Sequence, residues 1–343
     1  MDYGCDYHPR FQQIAFVNTE GGECGGTRLQ HVQEAEQFYR SLQGQAVRVG
    51  MEASGHARWL ERLLAELGYE LWIGDPAKIR AAAPRKQKTE ARDAAHLLQL
   101  LMEGQFERMR IWVPKAGERD VRQLVLHRHR RVEMRTRVKN QLRTVALNEG
   151  MGPRPGLWSR KGQERFRALA LPAWSERRRA DNLELLADLL LRTTPLDAAV
   201  EQEAQRRPEV VRLMTHPGVG PSTALTFVLT IGEPMRFDCG KQVASYLGLI
   251  PAEDSSGGRQ RLGHITKQAN ALLRGLLVEA AHSAARREPE LGRCYRRLAM
   301  RKNRSIAAVA VARKLALRLW WLWWMWRRGL NYAQFRTSGS HAG

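Results

Sequence analysis

Residues 46–55 read Ala46-Val47-Arg48-Val49-Gly50-Met51-Glu52-Ala53-Ser54-Gly55. Val47, Val49 and Met51 recur with a period of two, which predicts a β-strand ending on Glu52. Just beyond, Trp59, Leu60, Leu63, Leu64 and Leu67 return at helical spacing. The same alternation of element types extends in both directions. Upstream, apolar Ile14 to Val17 runs into the turn Glu20-Gly21-Gly22, which predicts a hairpin. Downstream, Tyr69 to Ile73 predicts another strand, closed by Gly74-Asp75-Pro76. Thr89 to Glu103 predicts a helix with Ala94, Leu97, Leu98 and Leu101 on one face. Strands and helices in this order indicate an α/β layer structure.

From Glu118 the character changes. Between Arg119 and Arg143 nine basic residues face two acidic ones, with Val121, Leu124, Val125, Val138, Leu142 and Val145 as a loose apolar seam. The pattern predicts a long helix that pairs with another helix, lies along phosphates, or does both. Pro153 and Pro155 break it, and a second helical stretch follows over Ala180 to Arg192. From near Glu209 the chain reads as mainly helical, with a glycine-rich interruption from Gly248 to Gly263. The expected fold class is therefore α/β plus all-α, in four parts: 1–115, a basic helical or coiled-coil middle over 116–204, a C-terminal domain over 205–330, and a tail over 331–343.

The formal net charge of +21 over 343 residues makes a polyanion the natural partner, nucleic acid before an anionic membrane surface. Cys5, Cys24, Cys239 and Cys294 contain no CxxC pair, which argues against a zinc finger or a disulfide framework and fits a reducing cytosol. The N-terminus lacks the pattern of a signal peptide. The tryptophan-rich C-terminal stretch has uncharged runs, Ser305 to Ala312 and Leu319 to Trp326, far short of the ~20 residues of a membrane span. It predicts an amphipathic helix packed on its own domain or on a partner.

Three constellations carry chemistry. In the first, Asp6 lies at the start of the chain just before the hairpin, Glu52 ends a strand, and Glu90 and Asp93 share one helical face. Four converging carboxylates repel unless hard cations neutralise them, and magnesium suits all-oxygen ligands. Such residues also serve as caps and solvated surface, and spacing alone does not choose between the two. In the second, His216-Pro217-Gly218-Val219-Gly220-Pro221 opens a helix from Ser222 to Thr230. This helix-hairpin-helix pattern would offer the N–H groups of Gly218 and Gly220 to a phosphate, and a plain tight connection is the other reading. In the third, Gly248 to Lys267 contains Ser255-Ser256-Gly257-Gly258, with Arg259, Arg261 and Lys267 placed to hold a phosphate beside the hydroxyl. Read alone, Ser-Ser-Gly-Gly also describes a flexible loop. Arg274, and Arg128, Arg131 and Arg135 of the basic helix, complete the candidate nucleic-acid contacts.

The three blocks, in this order from about Asp2 to Arg328, resemble insertion-sequence family 110, the DEDD-type transposases understood as bridge-RNA-guided recombinases. The resemblance implies a RuvC-like N-terminal domain of the RNase H fold whose acidic set maps to Asp6, Glu52, Glu90 and Asp93. The last two lie in Lys88-Thr89-Glu90-Ala91-Arg92-Asp93-Ala94. It implies Ser256 as the nucleophile that forms a covalent phosphoserine, and Mg2+ at the carboxylates. It further implies double-stranded DNA (element ends and target) and a guide RNA as partners, with an active site shared between protomers of a dimer or tetramer. The expected setting is a bacterial or archaeal cytoplasm, at the nucleoid. Two departures stand out: Glu90 replaces the family's Asp, and Ile265-Thr266-Lys267 replaces Ile-Ser-Lys. Two rival readings stay open, a RuvC-like nuclease that hydrolyses DNA without Ser256, and a non-catalytic copy that still binds nucleic acid.

Overall fold

The computed structural model describes residues 1–18, 21–83, 89–152, 156–253, 261–268 and 270–326. The chain divides into two compact units, Met1–Val113 and Pro114–Gly343.

In the first unit, β1 (Asp2–Tyr7), β2 (Phe11–Val17) and β3 (Cys24–Gln30) form an antiparallel meander. After α1 (Gln33–Ser41), β4 (Arg48–Glu52) pairs parallel with β1. After α2 (Arg58–Glu66), β5 (Glu70–Gly74) pairs parallel with β4, giving the order β3-β2-β1-β4-β5. Then follow α3 (Pro76–Ala82), α4 (Glu90–Met102) and a 3-10 turn at Phe106–Met109. The N-terminal segment, expected only to precede a hairpin, is itself the central strand. Its signal was the alternation of Tyr3, Cys5 and Tyr7 with Asp2, Gly4 and Asp6.

The two faces of this sheet are built differently. Tyr3, Cys5, Ile14, Leu29, Val49, Met51 and Ile73 bury one face against α1 (Ala35, Tyr39) and α2 (Leu60, Leu63, Leu64). The other face is thin. Gly4 and Gly50 lie side by side in register, and α4 comes down on both. A Cβ on Gly4 would stand 2.1 Å from the Ala94 carbonyl oxygen, and one on Gly50 2.7 Å from the Leu101 side chain. The glycines set how closely the helix approaches. Thr89 caps α4, its hydroxyl accepting from Arg92 N–H at 3.4 Å. The cap leaves Glu90 and Asp93 in the first turn, where the helix dipole favours anions.

The second unit holds α5 (Ala116–Asn148), α6 (Arg160–Arg167), α7 (Ala173–Gln205), α8 (Pro208–Met214), α9 (Pro221–Ile231) and α10 (Gly240–Tyr246). It continues with the paired strands β6 (Pro251–Glu253) and β7 (Leu262–Ile265), then α11 (Ala271–Arg287), α12 (Pro289–Arg301) and α13 (Arg304–Trp326). Helices α5 and α7 run antiparallel. Leu142 and Val145 share a core with Leu186 and Leu189, Arg128 Nε meets Asp197 Oδ1 at 2.7 Å, and Val125 joins Val200 and Ala204.

Helix α7 runs well past Arg192, through Pro195. An interior proline costs a helix ~3 kcal/mol. Here Leu186 and Leu189 before it, and Val200 and Ala204 after it, are all buried, so packing on both sides outweighs the local preference. The tryptophan-rich stretch forms α13, which buries Leu315, Leu319, Trp320 and Trp323 against the surrounding helices and lies within the unit's main core. Among the described residues no helix is long and apolar enough to cross a membrane.

Candidate functional site

Strand register places the first constellation. Arg28 pairs with Gln13 and Gln13 with Asp6, making one row across β3, β2 and β1. The β1–β4 register, extended one position beyond Cys5 and Met51, sets Glu52 beside Asp6 in the same row. Because side chains alternate, Asp6 and Glu52 share the face of Gly4 and Gly50, the face that α4 covers. Glu90 lies one turn before Ala94, the α4 residue over Gly4. Its Oε2 stands 3.5 Å from Nη1 of Arg28, so the first turn of α4 reaches the same row. Register thus sets Asp6 and Glu52 in one row, and Glu90 is tied to that row through Arg28, with Asp93 in the same helical turn as Glu90. Asp6 is the most protected of the ion-paired members, its side chain 15% exposed against 44% for Glu90.

Two basic side chains attend this edge. His8 Nε2 lies 3.1 Å from Asp6 Oδ2, and its ring stacks on Phe11 with centroids 4.7 Å apart. The Arg28 guanidinium sits over the same Phe11 ring, 3.6 Å from its centroid. Among the described residues, no three acidic, histidine or cysteine side chains stand together in a metal-ligand arrangement. The donor set is nonetheless all-oxygen and carried on rigid elements, which suits a hard divalent cation. His8, Phe11 and Arg28 were not nominated from sequence. Their signal is the period-two pattern of β2 and β3, which puts Phe11, Gln13 and Arg28 on the Asp6 face.

The opposite face behind Asp6 is closed to chemistry. The Cys5 thiol donates to Gln12 Oε1 at 3.1 Å, and the Tyr39 hydroxyl to the same oxygen at 3.3 Å. Burial pushes the Cys5 thiol up to about 12, so it stays a protonated packing group.

In the second unit the Pro217 to Gly220 hairpin is packed rather than open along its length. A Cβ on Gly218 (φ +87°) would stand 2.5 Å from the Ala284 N of α11. The Val219 N–H is taken by the His216 carbonyl at 3.1 Å. His216 is buried, and its Nδ1 donates to the Pro217 carbonyl at 2.9 Å. Burial lowers its pKa to about 4, so it is neutral near pH 7 and structural. Gly220 is exposed at the N-terminus of α9 and keeps the position that the phosphate reading needs.

Ser256 and Arg259 lie outside the described residues, as does Lys88. The flanking segments do meet: β6 pairs with β7, Lys267 N–H donates to the Gly248 carbonyl at 3.3 Å, and Thr266 N–H to that of Ile250 at 2.9 Å. Lys267 adopts φ 56°, a conformation uncommon outside glycine. Arg261 and Lys267 are exposed, whereas the Arg274 guanidinium donates to the Gln268 carbonyl and braces the base of this block. On α5, Arg131 and Arg135 are half-buried and Arg128 is engaged with Asp197. Arg122, counted with the positive charge of that helix, instead turns inward and donates through Nε to the Leu229 carbonyl at 3.0 Å. Burial lowers its pKa.

Comparison with known proteins points one way. A family model for DEDD-type IS110 transposases matches residues 3–149, and the model described as the transposase IS116/IS110/IS902 family matches residues 210–296. A probable family 20 transposase of Pseudomonas aeruginosa is 28% identical over 303 residues, covering 84% of this chain and 87% of the relative. The transposase for insertion sequence element IS1111A of Coxiella burnetii is 28% identical, covering 80% and 77%. The transposase for insertion sequence element IS1328 of Yersinia enterocolitica is 24% identical, covering 79% and 82%.

Proposed function

The chain belongs to the IS116/IS110/IS902 family of transposases, and from that premise we propose that it cuts and rejoins DNA strands through a phosphoserine formed at Ser256. The observation that most supports the proposal is the register that sets Asp6 and Glu52 in one row, with Glu90 of α4 reaching Arg28 of the same row. The strand order β3-β2-β1-β4-β5, with a meander followed by parallel strands, supports an RNase H-like reading of the first unit. The exposed Gly220 at the start of α9 supports the helix-hairpin-helix reading.

In this reading Asp6, Glu52, Glu90 and Asp93 hold a divalent ion, Mg2+, which when bound would neutralise charge on the phosphodiester. The Ser256 oxygen bonds to phosphorus as the bond from phosphorus to a deoxyribose oxygen breaks, and that oxygen leaves as a hydroxyl. The bond energy is retained in the phosphoserine ester, so a second strand's hydroxyl can reverse the step on a new end. Arg259, Arg261 and Lys267 orient the phosphate, and the arginines of α5 contact the backbone. By family likeness the DNA is that of the element ends and target, the guide is a structured RNA, and the working form is a dimer or tetramer.

The test is a denaturing gel of the full chain with Mg2+ and element-end DNA. The wild type is expected to give a protease-sensitive protein–DNA adduct that Ser256→Ala abolishes together with strand exchange. Undiminished cutting by Ser256→Ala would replace this mechanism with hydrolysis.

A further inference from the structure

Glu90, in the first turn of α4, is a candidate ion ligand that already has a counter-charge in the ion-free chain. At the α4 end the counter-charge is Arg28 on the edge strand β3, 3.5 Å from Glu90. Its place is fixed twice over: by the register that sets it across from Gln13, and by the Phe11 ring beneath its guanidinium at 3.6 Å. The resemblance puts an aspartate where this chain has Glu90. At 3.5 Å the pair already sits at the long end of contact, so a side chain one methylene shorter would withdraw from Arg28.

Resting on the carboxylate site proposed above, we infer that Arg28 is a positioning residue of that site, which occupies the Glu90 carboxylate in the ion-free chain and competes there with the divalent ion. The longer side chain at position 90 is what lets the competition occur. Arginine never releases its proton at working pH, so the competition does not depend on pH in its own right. With an ion held there, Glu90 would leave Arg28, whose guanidinium on Phe11 could then meet a phosphate. The Glu90 departure is thereby a change in how tightly the ion is held.

Mn2+ affinity of the full chain without DNA, followed by electron paramagnetic resonance titration at low salt, tests this. Arg28→Ala is expected to tighten binding roughly fivefold by removing a nearby positive charge. The gain should shrink at high salt, because the pair is exposed. In a Glu90→Asp background the same Arg28→Ala change should shift affinity less than about twofold. An unchanged or weakened affinity in Arg28→Ala overturns the inference, as does an equal effect in both backgrounds. Arg28→Lys, which keeps the charge, checks that a gain is not a folding artefact and should stay near wild type. Failure of the wild type itself to bind Mn2+ would remove the carboxylate site and this inference together, whereas a binding wild type with an indifferent Arg28 removes the inference alone.

Discussion

The two faces of the five-stranded sheet carry opposite kinds of residue. One face is filled with Tyr3, Ile14, Val49 and Met51 under α1 and α2, and its buried amide, Gln12, is held between Cys5 and Tyr39. The other replaces bulk with Gly4, Ala15 and Gly50, so that α4 rests almost on the backbone. Packing volume given up there is what lets the first turn of α4 reach the row of Asp6 and Glu52. A core face tolerates change in proportion to the volume lost. A face built on close backbone approach tolerates almost no addition.

That contrast can be broken by substitution. Gly4→Ala should have the largest effect, because the new methyl meets the carbonyl of Ala94 at 2.1 Å and the backbone nitrogen of Leu98 at 2.5 Å, neither of which can rotate away. Urea unfolding is expected to show a loss upwards of about 4 kcal/mol, beyond the usual cost of overpacking. A loss under about 1 kcal/mol would mean that α4 does not seat on β1. On the filled face, Leu64→Ala removes a fully buried side chain and should cost about 3 kcal/mol in the same assay, with the carboxylate edge untouched.

The smallest effect is chemical. Cys5 lies on the filled face and Cys24 is exposed on the edge strand of the thin one. Burial disfavours the Cys5 thiolate and raises its pKa to about 12, so the thiol stays protonated as pH rises through the ordinary thiol range. Iodoacetamide at pH 8 should alkylate Cys24 and Cys239, with Cys5 and Cys294 reacting only after denaturation. Labelling of Cys5 in the native chain at a rate comparable to Cys24 would show that the filled face opens.

The candidate site residues were nominated from local pattern. Glu52 at a strand end, Glu90 and Asp93 at the start of a capped helix, and the Pro-Gly-Val-Gly and Ser-Gly blocks are all local patterns, and local patterns are what periodicity reads. The run Asp2 to Tyr7 was harder, because a strand that carries Asp, Gly and Asp on one face looks polar until the helix covering that face is known. The extent of α7 was hidden for a related reason. Pro195 argues for a stop locally, and only the burial of Val200 and Ala204 beyond it argues for continuation.

The amino-acid order by itself determined the alternation of strands and helices, the family, the basic charge and which carboxylates were candidates. Tertiary structure alone decided that Arg28 faces Glu90, that His8 faces Asp6, that Gly218 packs on α11 and that Arg122 turns inward. The reason is physical. Propensity and periodicity act between residues a few positions apart, whereas strand register and helix seating join positions tens of residues apart, and no local pattern encodes which of those partners will meet.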